Sequence, residues 1–459
     1  MNINQKSIKK FTIKVLYSLK GRSTFKYLQE FERNQWLPKK ELEHIQWVKL
    51  QSLLDYAYRN VPFYKKAFND IKLRPKDIKT KDDFKKIPIL TKEDIDINCS
   101  EMTSRVYNKK DFVKNSTGGS TGRNLNFFVD GRRAHIKEIV TIRGNRWAGL
   151  DIGEKHAFLW GSPFDISFQN KLKNKIINKL YGLDLFLSSY DLSEGNMLSY
   201  TKKLQVHKPK VIIGYPSSLY FFAKFIKDRK IEGFGTKSII SSAEVLYEYQ
   251  RELIESVFQC KVFNRYGSRE FGNIAHECPE HSGMHINIDH VYIECLTENG
   301  KAANPGETGE LIITDLDNYA MPFIRYRIGD TGVLSERNCS CGRGLPLFEE
   351  VGGRTFDIIV GANGQNLGGT FWTLFLRTAI EGIQQFQVVQ ESEKKIIIKI
   401  VVNESFKSKN IDVLTKKIHQ YCGEDMQITL EVVDKIPLTK SGKFRFVISK
   451  VSPFSDQLE

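Results

Sequence analysis

The spacing of apolar positions changes twice along the chain. Up to about residue 100, apolar side chains recur every three or four positions, the period of one helix face. Ile8, Phe11, Val15, Leu16 and Leu19 form such a stripe, flanked by Lys6, Lys9, Lys10, Lys14 and Lys20. A basic amphipathic helix of this kind either lies on an anionic membrane or packs on its own domain. Residues 53–68 read as a helix broken at Val61-Pro62, since proline cannot donate inside a helix. Thr91, in the run I-P-I-L-T-K-E-D at 87–94, predicts a capped helix start.

From about 110 to 350, short β-rich runs alternate with helical ones, which predicts an α/β architecture. Strands are expected at 211–214, 238–241 and 310–314, a helix at 219–230, and a turn at Asn304-Pro305-Gly306. Past 352–357 the texture changes again. Helices are expected at 371–380 and 410–421, and strands at 386–389, 396–402 and 428–433. This is a small α+β unit of about one hundred residues, large enough for a separate domain.

Length and charge refine this picture. A chain of 459 residues exceeds one ordinary hydrophobic core, so two or more domains are expected. With 41% hydrophobic and 27% charged residues the composition is globular. No apolar run is long enough to span a bilayer, and the basic first segment lacks a signal-peptide core, so the expected location is cytoplasmic. The net charge of +15 suits nucleic acid, anionic lipid or an anionic small molecule. The lysines are scattered and form no compact nucleic-acid motif, so no nucleic-acid partner is expected. Seven cysteines in such a chain do not read as a disulfide framework. Cys99, Cys260, Cys295 and Cys422 stand alone and are expected to be buried thiols.

The strongest chemical signal is N-S-T-G-G-S-T-G-R at 115–123, ahead of a strand-like N-L-N-F-F-V. Gly118, Gly119 and Gly122 let the backbone approach an anion, and Ser116, Thr117, Ser120 and Thr121 add hydroxyl groups. Phosphate is the natural guest, although the Lys of a Walker A loop does not follow. The plain alternative is a Gly/Ser turn. Four further polar stretches are expected at strand ends or loops: N-R-Y-G-S-R-E at 264–270, R-Y-R-I-G-D at 325–330, G-R-T-F-D at 353–357 and I-P-L-T-K-S-G-K-F-R at 436–445.

In this order the set resembles the adenylate-forming superfamily of acyl-CoA synthetases, adenylation domains and luciferases. Within it the chain is most similar to the phenylacetate–CoA ligase branch and its CapK-type relatives linked to capsular polysaccharide synthesis. The carriers are A-Y-R-N-V-P-F-Y (57–64), P-I-L-T-K-E-D (88–94), Y-G-S-R-E-F-G (266–272) and F-Q-V-V-Q (386–390). The resemblance implies a large AMP-binding domain over 1–356, with a mostly helical lead-in to about 100. A small mobile lid over 357–459 would turn about a hinge near Asp357. It also implies activation of a small carboxylic acid by ATP as acyl-AMP, then acyl transfer. The acceptor is either coenzyme A or an amine or hydroxyl of a sugar or cell-envelope precursor. A non-catalytic nucleotide-binding relative is the alternative of another class.

By that resemblance, the loop from Ser116 to Gly122 holds the outgoing phosphates. Tyr266 and Gly267 meet adenine beside Ala243 and Glu244. Asp330 takes the ribose hydroxyls, Arg354 helps hold the nucleotide, and Glu270 binds Mg²⁺. Lys443 reaches the carboxylate and the α-phosphate. Two departures stand out: Arg123-Asn124 replaces the usual Pro and Lys after the loop, and Arg269 replaces a Thr or Ser beside Glu270. Arg269 either contacts phosphate or pairs with Glu270. The segment 363–372 also departs from the phenylacetate ligases, which weakens the inference to coenzyme A.

A separate group is Cys278-Pro-Glu-His281-Ser-Gly-Met-His285 with Cys339-Ser-Cys341. Three thiols and an imidazole match a structural zinc set. Cys278, His285, Cys339 and Cys341 are the expected ligands, with His281 in reserve. The alternative is a set of reduced thiols beside a turn.

Overall fold

The computed structural model describes residues 22–108, 111–117, 125–160, 184–189, 192–354, 359–367, 372, 375–376, 382–407, 410–437 and 444–451. The stripe at 8–19, the loop tip 118–123, Asp357 and Lys443 lie outside the described residues, as does most of the helix expected at 371–380.

The first part of the chain is helical, with α1 at Arg22–Asn34, α2 at Lys39–Asn60 and α3 at Pro62–Asp70. The break falls at Val61, extended at φ −120° as the residue before a proline must be, and Pro62 opens the next helix. Helix α2 buries Leu42, Leu50, Leu53, Leu54 and Ala57 on one face. Two short helices follow, α4 (Lys81–Phe84) and α5 (Lys92–Asn98). Helix α5 starts as expected: Thr91 Oγ1 accepts from the Asp94 amide at 3.1 Å and Asp94 accepts from the Thr91 amide at 2.8 Å.

A two-stranded hairpin, β1 (Phe112–Ser116) and β2 (Asn126–Asp130), leads into α6 (Gly131–Trp147). Five parallel strands then alternate with helices: β3 (His156–Trp160), β4 (Asp184–Ser188), β5 (Val211–Gly214), β6 (Ser238–Ser242) and β7 (Lys261–Ser268). The helices are α7 (Glu194–His207), α8 (Pro216–Asp228) and α9 (Glu248–Phe258). Strands β5 and β6 are buried at every position, because both faces are covered. Ile212, Ile239 and Val262 pack with Leu204, Phe222 and Ile254 on one face. Val211, Ile213, Ile240 and Phe263 pack with Ala148 and Leu150 on the other.

After β7 the sheet turns antiparallel with β8 (Gly272–Glu277) and β9 (Met284–Ile286). Strands β10 (Val291–Leu296), β11 (Thr308–Asp315), β12 (Tyr326–Ser335) and β13 (Leu347–Arg354) follow in the chain. The full sheet has eleven strands, ordered β10-β11-β12-β13-β9-β8-β7-β6-β5-β3-β4.

The chain divides into two compact units, one of residues 1–294, 312–328 and 334–350, the other of residues 295–311, 329–333 and 351–459. The second unit contains a small hairpin of β14 (Ile359–Val360) and β15 (Asn366–Leu367). Its main sheet has β16 (Ile383–Ser392), β17 (Lys395–Val402), β18 (Gln427–Val432) and β19 (Val447–Ser449), ordered β18-β17-β16-β19. Helix α10 (Asn410–Cys422) contributes Leu414, Ile418 and Cys422 to a core with Trp372, Phe386, Ile396, Ile398 and Ile400. The α/β and α+β textures read from the sequence are those observed.

Two expectations need correction. Cys295 and Cys422 are buried, but Cys99 and Cys260 are only half-buried. Asp330 lies inside β12 and not at a strand end, because Gly329 (φ +78°) bends the strand without ending it. Among the described residues no helix is long and apolar enough to cross a membrane.

Candidate nucleotide site and a cysteine–histidine cluster

Strands β5, β6 and β7 are parallel neighbours in register, Gly214 with Ser241 and Ser242 with Arg265. Their carboxyl ends therefore open on one side of the sheet, where open α/β sheets bind ligands. Ala243-Glu244 leaves β6 there, and Tyr266 and Gly267 close β7 just before Arg269 and Glu270. Ala243 holds φ +73°, a left-handed conformation that L-residues seldom adopt. The Glu244 carboxylate accepts from the Ser217 amide at 3.1 Å, in the first turn of α8. That turn offers unpaired amides and a partial positive charge, so Glu244 ties the ends of β5 and β6 together.

Tyr266 is half-buried, with its ring edge-on to Phe348 at a centroid distance of 6.1 Å. Gly267 sits at an irregularity in the β7–β8 ladder, and a Cβ there would fall 2.3 Å from the Gly272 carbonyl oxygen. Only glycine lets the turn close this tightly. Arg269 and Glu270 occupy that turn. The Glu270 side chain is half-buried and has no protein partner among the described residues, while its backbone carbonyl accepts from Arg133 Nη2 at 3.0 Å. An oxygen donor held in place and left unpaired suits a hard divalent cation.

Arg133 was invisible to motif reasoning. It is buried in the first turn of α6 and also donates to Asp315. Asp130 caps that helix, accepting from the Arg133 amide at 2.8 Å and from the Tyr319 amide at 2.9 Å. Nearby, Asp317 accepts from Lys49 at 2.8 Å and pairs with His290 Nδ1 at 2.8 Å, while His290 Nε2 donates to the Phe271 carbonyl at 2.9 Å. His290, Asp315 and Asp317 lie close enough to suggest a metal group. Both imidazole nitrogens and both carboxylates already have partners, so this is an ion network beneath the Glu270 turn. Burial alone would raise the Asp317 carboxyl, but Lys49 and His290 prevail and hold it well below the usual carboxylate range.

Arg265 is the second residue that sequence reasoning passed over. It donates to Ser242 Oγ at 3.2 Å and Asn145 Oδ1 at 3.5 Å, and burial pushes its guanidinium down to about 10. It pairs with no carboxylate among the described residues.

The hairpin carrying the Gly-rich stretch is closed at its base. The Thr117 amide donates to the Leu125 carbonyl and the Leu125 amide donates to Thr117 Oγ1, both at 2.9 Å. Thr117 thus uses one lone pair to shape the loop, and Ser116 is half-buried beside it. Gly118, Gly119, Ser120, Thr121 and Gly122 lie outside the described residues, as do Lys443 and the Arg354 side chain. Asp330 is half-buried on β12, within the second unit.

The four cysteine and histidine residues do converge. Cys278 follows β8, His285 lies in β9, and Cys339 and Cys341 come from the loop before β13. Pairing of Leu347 with His285 brings that loop over the β8–β9 turn. The four ligand atoms all lie within 4.8 Å of one another. Cys278 Sγ is 3.6 Å from Cys339 Sγ, and Cys341 Sγ is 3.2 Å from His285 Nε2. His281 is not in the group: its Nδ1 faces Glu277 at 3.0 Å.

Residues 361–450 match the family model of the CapK C-terminal domain. The chain is 28% identical to Protein CapK of Staphylococcus aureus, over 96% of each chain. It is 24% identical to a phenylacetate–coenzyme A ligase of Thermus thermophilus, over 90% of this chain and 97% of that one. A solved structure of 2-hydroxyisobutyryl-CoA ligase, in its postadenylation state with 2-HIB-AMP, superposes with a TM-score of 0.73 at 18% identity, covering 91% of each chain. The chain is therefore a homologue of CapK and of the phenylacetate–CoA ligases, with a CapK C-terminal domain on the fold of the adenylate-forming CoA ligases.

Proposed function

We propose that this protein is an AMP-forming acid ligase. A substrate carboxylate attacks the α-phosphorus of ATP, the bond to the β-phosphate breaks, and pyrophosphate leaves. An acceptor then attacks the acyl carbon and AMP departs. The observation that carries this reading is the grouping of Ala243, Glu244, Tyr266, Gly267, Arg269 and Glu270 at the carboxyl ends of adjacent parallel strands, with the Glu270 carboxylate lacking a partner among the described residues.

Tyr266 offers a ring face to adenine beside Ala243. Asp330 accepts from the ribose hydroxyls, Arg354 steadies the nucleotide, and the loop 116–122 donates to the phosphates. Glu270 would hold Mg²⁺, which neutralises charge on the phosphoryl oxygens. Arg269, in the same turn, would contact phosphate in place of the missing downstream lysine. Lys443, carried by the small C-terminal domain, supplies a compact ammonium to the carboxylate and α-phosphate during the first half-reaction. The domain boundary near 356 and the hinge at Asp357 belong to this proposal.

Coenzyme A is the acceptor that the named ligase relatives support. Transfer to an amine or hydroxyl of a sugar or envelope precursor, in a capsule-related role, is the competing outcome. ATP–pyrophosphate exchange across a panel of carboxylic acids tests the first step. At least one acid should stimulate exchange, and Lys443→Ala and Glu270→Gln should each lower it by on the order of 10²-fold. Exchange that no acid stimulates would sink the proposal. With the acid in hand, AMP release on adding coenzyme A separates a thiol acceptor from the others.

A further inference from the structure

We infer that Cys278, His285, Cys339 and Cys341 form a closed structural zinc site that staples the loop before β13 to the β8–β9 turn. Nothing in the adenylation chemistry calls for it.

The separations are those of ligands around a metal. Zn–S near 2.3 Å and Zn–N near 2.0–2.1 Å in a tetrahedron place ligand atoms roughly 3.5–3.8 Å apart. Cys278 and Cys339 approach to 3.6 Å, Cys341 and His285 to 3.2 Å, and all four fall within 4.8 Å of one another. All three cysteines are free of disulfides.

The surroundings also orient the ligands. His285 Nδ1 lies 3.0 Å from the Leu345 carbonyl, which can only accept. The proton therefore sits on Nδ1, and the Nε2 lone pair faces Cys341, the arrangement usual for metal-bound imidazole. Trp147 packs edge-on to the His285 ring at 5.5 Å and fixes its plane. Ser282 Oγ, 3.4 Å from Cys339 Sγ, can donate to a thiolate. Three thiolates around one divalent ion leave a single negative charge.

Four protein ligands leave no open position, so the metal holds structure and does no chemistry. What it holds is specific. The stapled loop carries Arg343, which stacks on Trp36 and Trp147 at 4.6 and 4.9 Å and donates to Gln35 Oε1 at 2.9 Å. The Gly344 amide donates to the Gln35 carbonyl at 3.0 Å, and a Cβ on Gly344 would fall 1.9 Å from the Leu37 carbonyl oxygen. The zinc loop therefore fastens the junction between α1 and α2 onto the large unit.

Metal analysis of the full-length protein, purified without chelator, should return about one zinc per chain that survives dialysis. Cys339→Ser with Cys341→Ser should abolish that content, whereas His281→Ala should retain it. Cobalt exchanged into the wild-type chain should show the intense visible bands of tetrahedral thiolate coordination, a readout that needs no mutant to fold. Stripping the metal should lower the melting temperature. Zinc near zero in folded protein with no uptake on reconstitution, zinc unchanged in the double variant, loss in His281→Ala, or octahedral cobalt would each overturn the site.

Discussion

Arg133 is 1% exposed, donates to Asp315, and reaches the Glu270 carbonyl at 3.0 Å. Arg133→Ala would leave Asp315 as an uncompensated buried charge, a change that costs about 3–5 kcal/mol. Chemical denaturation should show that loss, and Arg133→Lys should recover part of it through the ion pair alone. Asp317 makes a second case, with pH as the probe. Its folded-state carboxyl is held below the usual range by Lys49 and His290, against the opposing effect of burial. A depressed acid contributes stability that is present above the unfolded value of about 3.9 and lost as pH falls below it. The melting temperature should therefore hold near neutrality and drop below about pH 4, and Asp317→Asn should show a shallower drop from a lower start. Neither residue belongs to a motif. Each acts through partners distant in the chain, so its neighbours in sequence carry no trace of its role.

At the scale of elements, much was legible. The Val61-Pro62 break, the Thr91 cap and the short, fully buried strands β5 and β6 follow from local rules on proline, capping and two-sided burial. Thr91→Ala should cost about 1 kcal/mol, read by thermal or urea unfolding. Gly267→Ala should do more harm, since its methyl would meet the Gly272 carbonyl and push β8 away from β7. The expected readout is weaker nucleotide binding by calorimetry together with lower stability, if the Tyr266–Glu270 turn forms the site as proposed. The misreadings also have local causes. Gly329-Asp330 reads as a turn in sequence but is a bend within a strand whose ends are set by its sheet neighbours. Cys99 and Cys260 were expected inside because thiols usually are, yet exposure depends on what packs over them.

At the scale of the whole molecule, the core around Trp372, Phe386, Ile398 and Ile418 draws, among the described residues, on those between Ile359 and Val447. Residues 359–451 expressed alone should therefore melt cooperatively. Their single tryptophan, Trp372, is fully buried and should give blue-shifted fluorescence that moves red on unfolding. A fragment without a cooperative transition would show that this core needs the rest of the chain. Sequence alone determined the classes of element, the change to a small α+β unit and the order of motifs that resembles the adenylate-forming superfamily. These rest on period, local sterics and short-range chemistry, all carried by neighbouring residues. Tertiary structure alone decided which groups meet: β13 beside β9, Arg133 beneath Glu270, Glu244 on the first turn of α8, and His285 rather than His281 among the cysteines. Those meetings depend on register and burial between segments far apart in the chain, where a one-residue shift turns a side chain to the opposite face.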